Sequence, residues 1–182
     1  MSQTGRIEVI CGSMFSGKSE ELLRRLKRAK IARKKYQLFK PSVDDRYSTT
    51  EVVSHSGERM ECQVIQSPYH VVDSLEHDTE IIAFDEAQFF DSTLLETVAS
   101  LANMGKRVIV AGLDMDSSGK PFGPMPHIMA VAEEVLKLTA VCEECGEPAT
   151  HTYRKTSEQK GQVFVGAGEH YQARCRDHWC AR

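Results

Sequence analysis

The sequence predicts an α/β fold, a mostly parallel sheet flanked by helices, with a small cysteine-rich unit at its C-terminal end. Three observations carry this. Short, almost continuously apolar runs, Ile7 to Cys11, Glu80 to Phe84 and Lys106 to Gly112, read as strands buried on both faces. Stretches with helical spacing lie between them, the alternation that a parallel sheet requires. Composition then changes after Val141, where Cys142, Cys145 and Cys175 gather. The expected division is residues 1–141 for the sheet domain and 142–182 for the small one. At 182 residues and 41% apolar content, the chain has enough material for one good core.

Bulk properties narrow the function classes. A net charge of −3 argues against a dedicated nucleic-acid binder, which carries a clear basic excess. The first residues lack the apolar core of a signal peptide, and no apolar run approaches a membrane span. Six cysteines without an export signal point to thiols or metal ligands rather than disulfides, and so to a cytoplasmic protein.

The first strand feeds Gly12-Ser13-Met14-Phe15-Ser16-Gly17-Lys18-Ser19, which satisfies the G-x-x-x-x-G-K-S pattern of a phosphate-binding loop, or P-loop. Average composition produces that match in fewer than roughly one in a hundred chains this long. Glycines let successive N–H groups point into a concavity, and the following helix, Glu20 to Lys35, adds the positive end of its dipole. Lys18 is suited to the β and γ phosphates and Ser19 to Mg²⁺, so the motif implies nucleoside triphosphate binding and a P-loop NTPase-type sheet. The helix bears eight basic residues between Arg24 and Lys35, read as a solvated outer face.

A strand is expected from Tyr36 to Lys40. Residues 41–60 read as a long loop holding Asp44-Asp45-Arg46 and His55. A short strand at Cys62 to Ile65 and a helix at Pro68 to Leu75 follow. The next buried strand ends in Asp85-Glu86: an acid there is the usual partner of a P-loop, facing Mg²⁺ beside Ser19, and Glu86 is placed to act as a base. Phe89 and Phe90 are expected to open a helix to about Met104. After the strand at Lys106 to Gly112, Leu113 to Gly123 leaves the ligand-binding edge of the sheet. His127 to Leu136 is expected to be helical, and Leu138 to Val141 the last sheet strand.

Cys142-x-x-Cys145 and Cys175-x-x-His178 are two knuckle-like pairs 29 residues apart. Tetrahedral Zn²⁺ needs four such ligands from two turns, and a redox pair leaves Cys175 and His178 unaccounted for. Cys180 is the rival to His178 as fourth ligand. Lone Cys11 and Cys62 read as small buried hydrophobes. Among phosphate chemistries, a helicase-type motor needs two large lobes, although Asp-Glu-Ala-Gln resembles a helicase box. A GTP switch needs an Asn-Lys-x-Asp motif, which is absent. A non-catalytic zinc module leaves the intact nucleotide motifs without a use. A small-molecule kinase fits best.

Over nearly its whole length the sequence also resembles the cytosolic, zinc-containing type II thymidine kinases. The matching words are Gly12 to Ser19, Lys40-Pro-Ser-Val-Asp-Asp-Arg-Tyr47, Ser54-His55, Phe84-Asp-Glu-Ala-Gln-Phe-Phe90, Gly112-Leu-Asp-Met-Asp116, Gly119-Lys-Pro-Phe122, Cys142-x-x-Cys145, and Gly166 to Cys175 with Tyr171. The resemblance implies transfer of the γ-phosphoryl of Mg-ATP to the 5′-hydroxyl of thymidine. In that pattern Glu86 is the general base, Arg46 stabilises charge at the phosphoryl, and Asp44 helps to hold the site. Met14, Phe89, Leu113, Phe122 and Tyr171 line the base pocket. A zinc-stapled lasso closes over thymine, reading it through the backbone of Phe164, Val165 and Gly166 with Thr152 nearby. The pattern departs at Ser117, where the family usually has a Phe near the base, which implies looser discrimination against deoxyuridine. Homotetramers and inhibition by thymidine triphosphate (dTTP) are further implications of the family.

Overall fold

The computed structural model describes residues 5–42, 51–53, 57, 59–155 and 170–179. In chain order these form β1 (Arg6–Gly12), α1 (Lys18–Ile31), β2 (Tyr36–Pro41), β3 (Glu51–Val53), β4 (Arg59–Glu61), β5 (Gln63–Ile65), α2 (His70–Ser74), β6 (Ile81–Phe84) and a 3₁₀ turn (Ala87–Phe89). Then follow α3 (Thr93–Asn103), β7 (Arg107–Gly112), α4 (Met125–Val131), β8 (Glu134–Leu138), β9 (Ala140–Val141), β10 (Pro148–Ala149), β11 (His151–Arg154), β12 (Tyr171–Arg174) and α5 (Arg176–Trp179).

Six strands make one sheet in the order β5-β2-β6-β7-β1-β8, and every pairing in it is parallel. Period-2 alternation sorts its side chains onto two faces. Val9 and Cys11, Ile82 and Phe84, and Val108 and Val110 meet Leu94, Val98 and Leu101 of α3 and Met125 and Ile128 of α4. Ile10, Ala83, Ile109 and Ala111 point the other way, onto Leu22, Leu23, Leu26 and Ala29 of α1. Burial on both faces is why these strands read as continuous apolar runs. No helix among the described residues is long and apolar enough to cross a membrane.

Several boundaries differ from those expected, each for a local reason. Helix α1 stops at Ile31 rather than Lys35, because Arg33 enters the left-handed region (φ 56). There the Lys34 N–H bonds the Ala29 carbonyl and the Arg33 N–H that of Lys30, a Schellman ending built without glycine. Phe89 and Phe90 close a 3₁₀ turn, and α3 starts only at Thr93, whose N–H bonds the Asp91 carboxylate. Where a loop was expected, β3 pairs antiparallel with β4, from Glu51↔Glu61 to Val53↔Arg59.

The largest difference lies after α4. The expected helix over His127 to Leu136 ends at Val131, and β8 pairs along β1 from Glu8↔Glu134 to Gly12↔Leu138. The expected strand from Leu138 to Val141 is split accordingly. Leu138 closes the sheet's edge strand, and β9 pairs with β10 of the cysteine-rich segment.

Candidate active site and metal centre

Parallel strands deliver their carboxyl ends to one edge, so the segments after β1, β6 and β7 converge there. After β1 the backbone takes positive φ at Gly12 (141°), Phe15 (66°) and Gly17 (84°), curling residues 12–17 into the loop. A Cβ on Gly12 would lie 2.3 Å from the Leu138 carbonyl oxygen, so only glycine fits. Lys18 Nζ and Ser16 Oγ both donate to the Ser13 carbonyl, at 2.7 and 2.8 Å. No side chain caps α1 at Gly17, and a helix N-terminus of this kind favours an anion.

Ser19 Oγ donates to Asp85 Oδ2 at 3.2 Å, so hydroxyl and carboxylate converge as the hard oxygen donors that suit Mg²⁺. The next residue, Glu86, sits in the left-handed region (φ 50), with its N–H bonded to Asp85 Oδ1 at 3.0 Å. Its Oε2 accepts a 2.5 Å hydrogen bond from Gln88 Nε2. Gln88, fully enclosed, uses its other end to accept the Leu113 N–H at 2.9 Å. One amide thus ties the carboxylate after β6 to the segment leaving β7. The sequence shows Gln88 only as the last residue of Asp-Glu-Ala-Gln and gives it no role, because a glutamine after two acids reads as surface until the fold brings β7 beside it.

Of the expected pocket residues, Phe89 and Phe122 meet edge-to-face with centroids 5.7 Å apart, and Leu113 is buried at the root of the same loop. Thr152 Oγ1 accepts the Met14 N–H at 3.1 Å, and Ser13 Oγ donates to the Ala149 carbonyl at 3.4 Å. Phe15 packs with Cys175 against a small cluster of Ala140, Cys142, Ala149 and Ala173. The C-terminal segment is therefore seated on the P-loop. Tyr171 is buried on β12, with the Arg154 guanidinium 5.8 Å from its ring centre. Asp44, His55, Arg46, Phe164, Val165, Gly166 and Cys180 lie outside the described residues.

Another pair escaped the sequence reading: buried Asp114 bonds Lys137 of β8 at 2.6 Å. Burial, with Asp114 beside it, pushes the Cys11 thiol up to about 11, in keeping with an inert core cysteine.

Cys142, Cys145, Cys175 and His178 bring one ligand atom each within 4.8 Å of one another. Cys145 Sγ lies 3.8 Å from Cys175 Sγ, and His178 Nδ1 lies 3.1 Å from Cys175 Sγ and 4.0 Å from Cys142 Sγ. Tetrahedral zinc with bonds of roughly 2.3 Å to sulfur separates its thiolates by about 3.8 Å, so the cluster can hold zinc. Burial works to raise the Cys142 thiol, but backbone N–H groups of Cys175, Glu144 and Cys145 bring it down and favour a thiolate there, while the neighbouring thiols Cys142 and Cys175 push Cys145 up.

Among solved structures the chain is similar to the ATPase DotB of Legionella pneumophila, with 16% identity and a TM-score of 0.43 over 70% of this chain and 34% of that one. It is also similar to domain III of the Thermotoga maritima replication initiation protein DnaA, with 14% identity and a TM-score of 0.43 over 75% of this chain and 56% of that one. The chain thus spans about a third of the first and little over half of the second. A model of the thymidine kinase family matches residues 5–179, from the residue before β1 to the end of α5. With a P-loop, a following acid pair and a zinc-competent knuckle all inside that match, the chain belongs to the thymidine kinase family.

Proposed function

We propose that this enzyme transfers the γ-phosphoryl of ATP to the 5′-hydroxyl of thymidine, and of deoxyuridine, with Glu86 as general base. The observation that carries the reading is the adjacency of Asp85 and Glu86. One carboxylate is bonded to Ser19 at the P-loop, and the next is fixed by Gln88 toward the loop that bears Leu113 and Phe122.

Ser19 and Asp85 would hold Mg²⁺, which neutralises charge on the phosphates. The N–H groups of residues 13–18 cradle the triphosphate, and Lys18 leaves the Ser13 carbonyl to follow the transferred group. Glu86 takes the proton of the 5′-hydroxyl as the bond to phosphorus forms. Arg46 and Asp44 belong to this site by family resemblance, Arg46 as the cation over the phosphoryl. Phe89, Phe122, Leu113, Met14 and Tyr171 form the base pocket with Thr152, closed by Phe164 to Gly166. Cys142, Cys145, Cys175 and His178 would hold a zinc ion, whose four bonds would tie down the root of that closing segment, and residues 142–182 are read as one unit. Exclusion of water then protects ATP from hydrolysis. A cytoplasmic homotetramer inhibited by dTTP completes the reading.

The test is phosphorylation of a nucleoside panel with Mg-ATP by wild type and Glu86→Gln. Labelled thymidine monophosphate from wild type, reduced at least about 100-fold in the variant, is the expected result. If wild type hydrolyses ATP and phosphorylates no nucleoside, the protein is a P-loop ATPase instead.

A further inference from the structure

The loop between β7 and α4 closes on itself. Asp116 Oδ1 accepts the N–H groups of Ser118 and Lys120, at 2.8 and 3.0 Å. The Asp116 N–H bonds the Lys120 carbonyl, the Phe122 N–H bonds the Asp114 carbonyl, and Met115 bridges Pro121. It is a hairpin whose root carries Leu113 and Phe122, so a force on its tip reaches the nucleoside pocket. The root is held by Gln88.

The tip is held by Trp179. Its indole Nε1–H donates to the Ser117 carbonyl at 3.3 Å, and its ring stacks on buried His151, with centroids 4.5 Å apart and planes 27° off parallel. The ring also lies hard against Gly119, where an added Cβ would fall 2.6 Å from indole Cη2. Gly119 has φ 72, so both its conformation and this contact require glycine. Helix α5 has four residues and buries none of them fully. Such a helix has no stability of its own, and this docking and the metal ligands must supply it.

We infer that Trp179 is a positioning residue for nucleoside binding, coupling the zinc knuckle, through neighbouring His178, to the hairpin that carries Leu113 and Phe122. The inference rests on the kinase reading above. The nucleoside must feel the contact more than ATP does, because Trp179 holds the hairpin whose root faces the base pocket, whereas the P-loop meets the C-terminal segment through Thr152 and Ala149 and is also held by its own bonds from Lys18 and Ser16 to the Ser13 carbonyl.

Trp179 is the chain's single tryptophan, so its emission reports this contact without catalysis. Thymidine added to the zinc-loaded wild type, with no ATP, is expected to change that emission saturably. Binding detected by calorimetry with no change in emission overturns the coupling. Calorimetry showing no nucleoside binding at all counts against the kinase reading and leaves emission with nothing to report. Trp179→Ala with zinc content retained is expected to raise the KM for thymidine about tenfold, from the loss of one stack and one hydrogen bond, with kcat and the KM for ATP within about twofold. Trp179→Phe keeps a ring on His151 and should recover part of that loss. Should Trp179→Ala lose zinc, Gly119→Ala carries the test from the hairpin side. Its thymidine KM rises in the wild-type background and rises less when Trp179→Phe leaves room. Thymidine KM unchanged in zinc-loaded Trp179→Ala or Gly119→Ala, or KM raised equally for ATP, overturns the proposal.

Discussion

Glu86 occupies a left-handed backbone conformation that costs a non-glycine residue about 1 kcal/mol or more. The turn aims consecutive carboxylates in different directions, Asp85 to Ser19 and Glu86 to Gln88. Gln88 is the residue on which that geometry depends, since its one amide satisfies both Glu86 and the buried Leu113 N–H. Gln88→Leu keeps the volume and removes both bonds. Such a substitution leaves a buried N–H without a partner, a loss of about 1–3 kcal/mol. Thermal unfolding should show it as a lowered Tm. On the proposed role of Glu86, steady-state kinetics should show kcat for thymidine down by roughly 10- to 100-fold, since a general base works only when held in place. The KM for ATP should stay near wild type. The placement of Lys18, Ser19, Asp85 and Glu86 just beyond strand ends was legible in the sequence because that spacing is local. Gln88 and Trp179 were not, because each acts on a segment brought alongside by the fold.

At the scale of elements, the buried strands and the edge strand β5 were legible, and the opposite edge strand, β8, was not. Strand β8 reads Glu-Val-Leu-Lys-Leu with an exposed Val135, a pattern that a helix accommodates equally well until pairing with β1 is known. The C-terminal elements depend on something besides packing. The apolar cluster that joins β9, β10 and β12 has four buried members among the described residues, three of them alanine, and α5 buries none of its residues fully. So little apolar surface does not hold a segment in place without a staple. Zinc removal by a strong chelator should therefore loosen residues 142–155 and 170–179 and leave the main sheet folded. Hydrogen exchange is the measurement: protection should fall in β11, β12 and α5 and persist in β1, β6 and β7. Equal loss of protection in both sets would mean that the metal is needed for the entire fold. Loss in neither would mean that the knuckle holds without it.

Across the whole molecule the two ends of the sheet have opposite tasks. The carboxyl end carries loops, positive φ and the groups proposed to react. The amino end is closed by an ion network around Glu8, which is fully enclosed in what reads as an apolar run, its charge invisible to periodicity. Glu8 accepts from Arg25 at 2.5 Å, Arg6 at 2.6 Å and Arg107 at 2.7 Å, and Arg25 also binds Glu21 at 2.9 Å and Glu134 at 2.8 Å. The network joins α1, β1, β7 and β8, and it withdraws Arg25 from the basic outer face expected of α1. Burial by itself would raise the pKa of Glu8. The guanidinium groups of Arg107, Arg25 and Arg6 outweigh it and lower the value to about 2. The side-chain hydrogen bond from Arg24, then Arg25, likewise brings Glu21 to about 2 despite its partial burial. Both folded values lie below the ordinary carboxylate value, so this stabilisation is full above about pH 4.5 and is lost as pH falls toward 2. Denaturant midpoints should decline across that window. Glu8→Gln takes the shared carboxylate from Arg107 and Arg25, of which Arg25 keeps Glu21 and Glu134, and breaking such a buried pairing lowers stability at neutral pH by about 3 kcal/mol. The variant should also show a shallower acid slope, since one of the two titrating partners is gone. A midpoint that falls with pH as steeply in Glu8→Gln as in wild type would place the acid sensitivity elsewhere. Nucleoside phosphorylation at neutral pH and moderate temperature should be unchanged by this substitution, because Glu8 sits at the opposite end of the strand from Gly12.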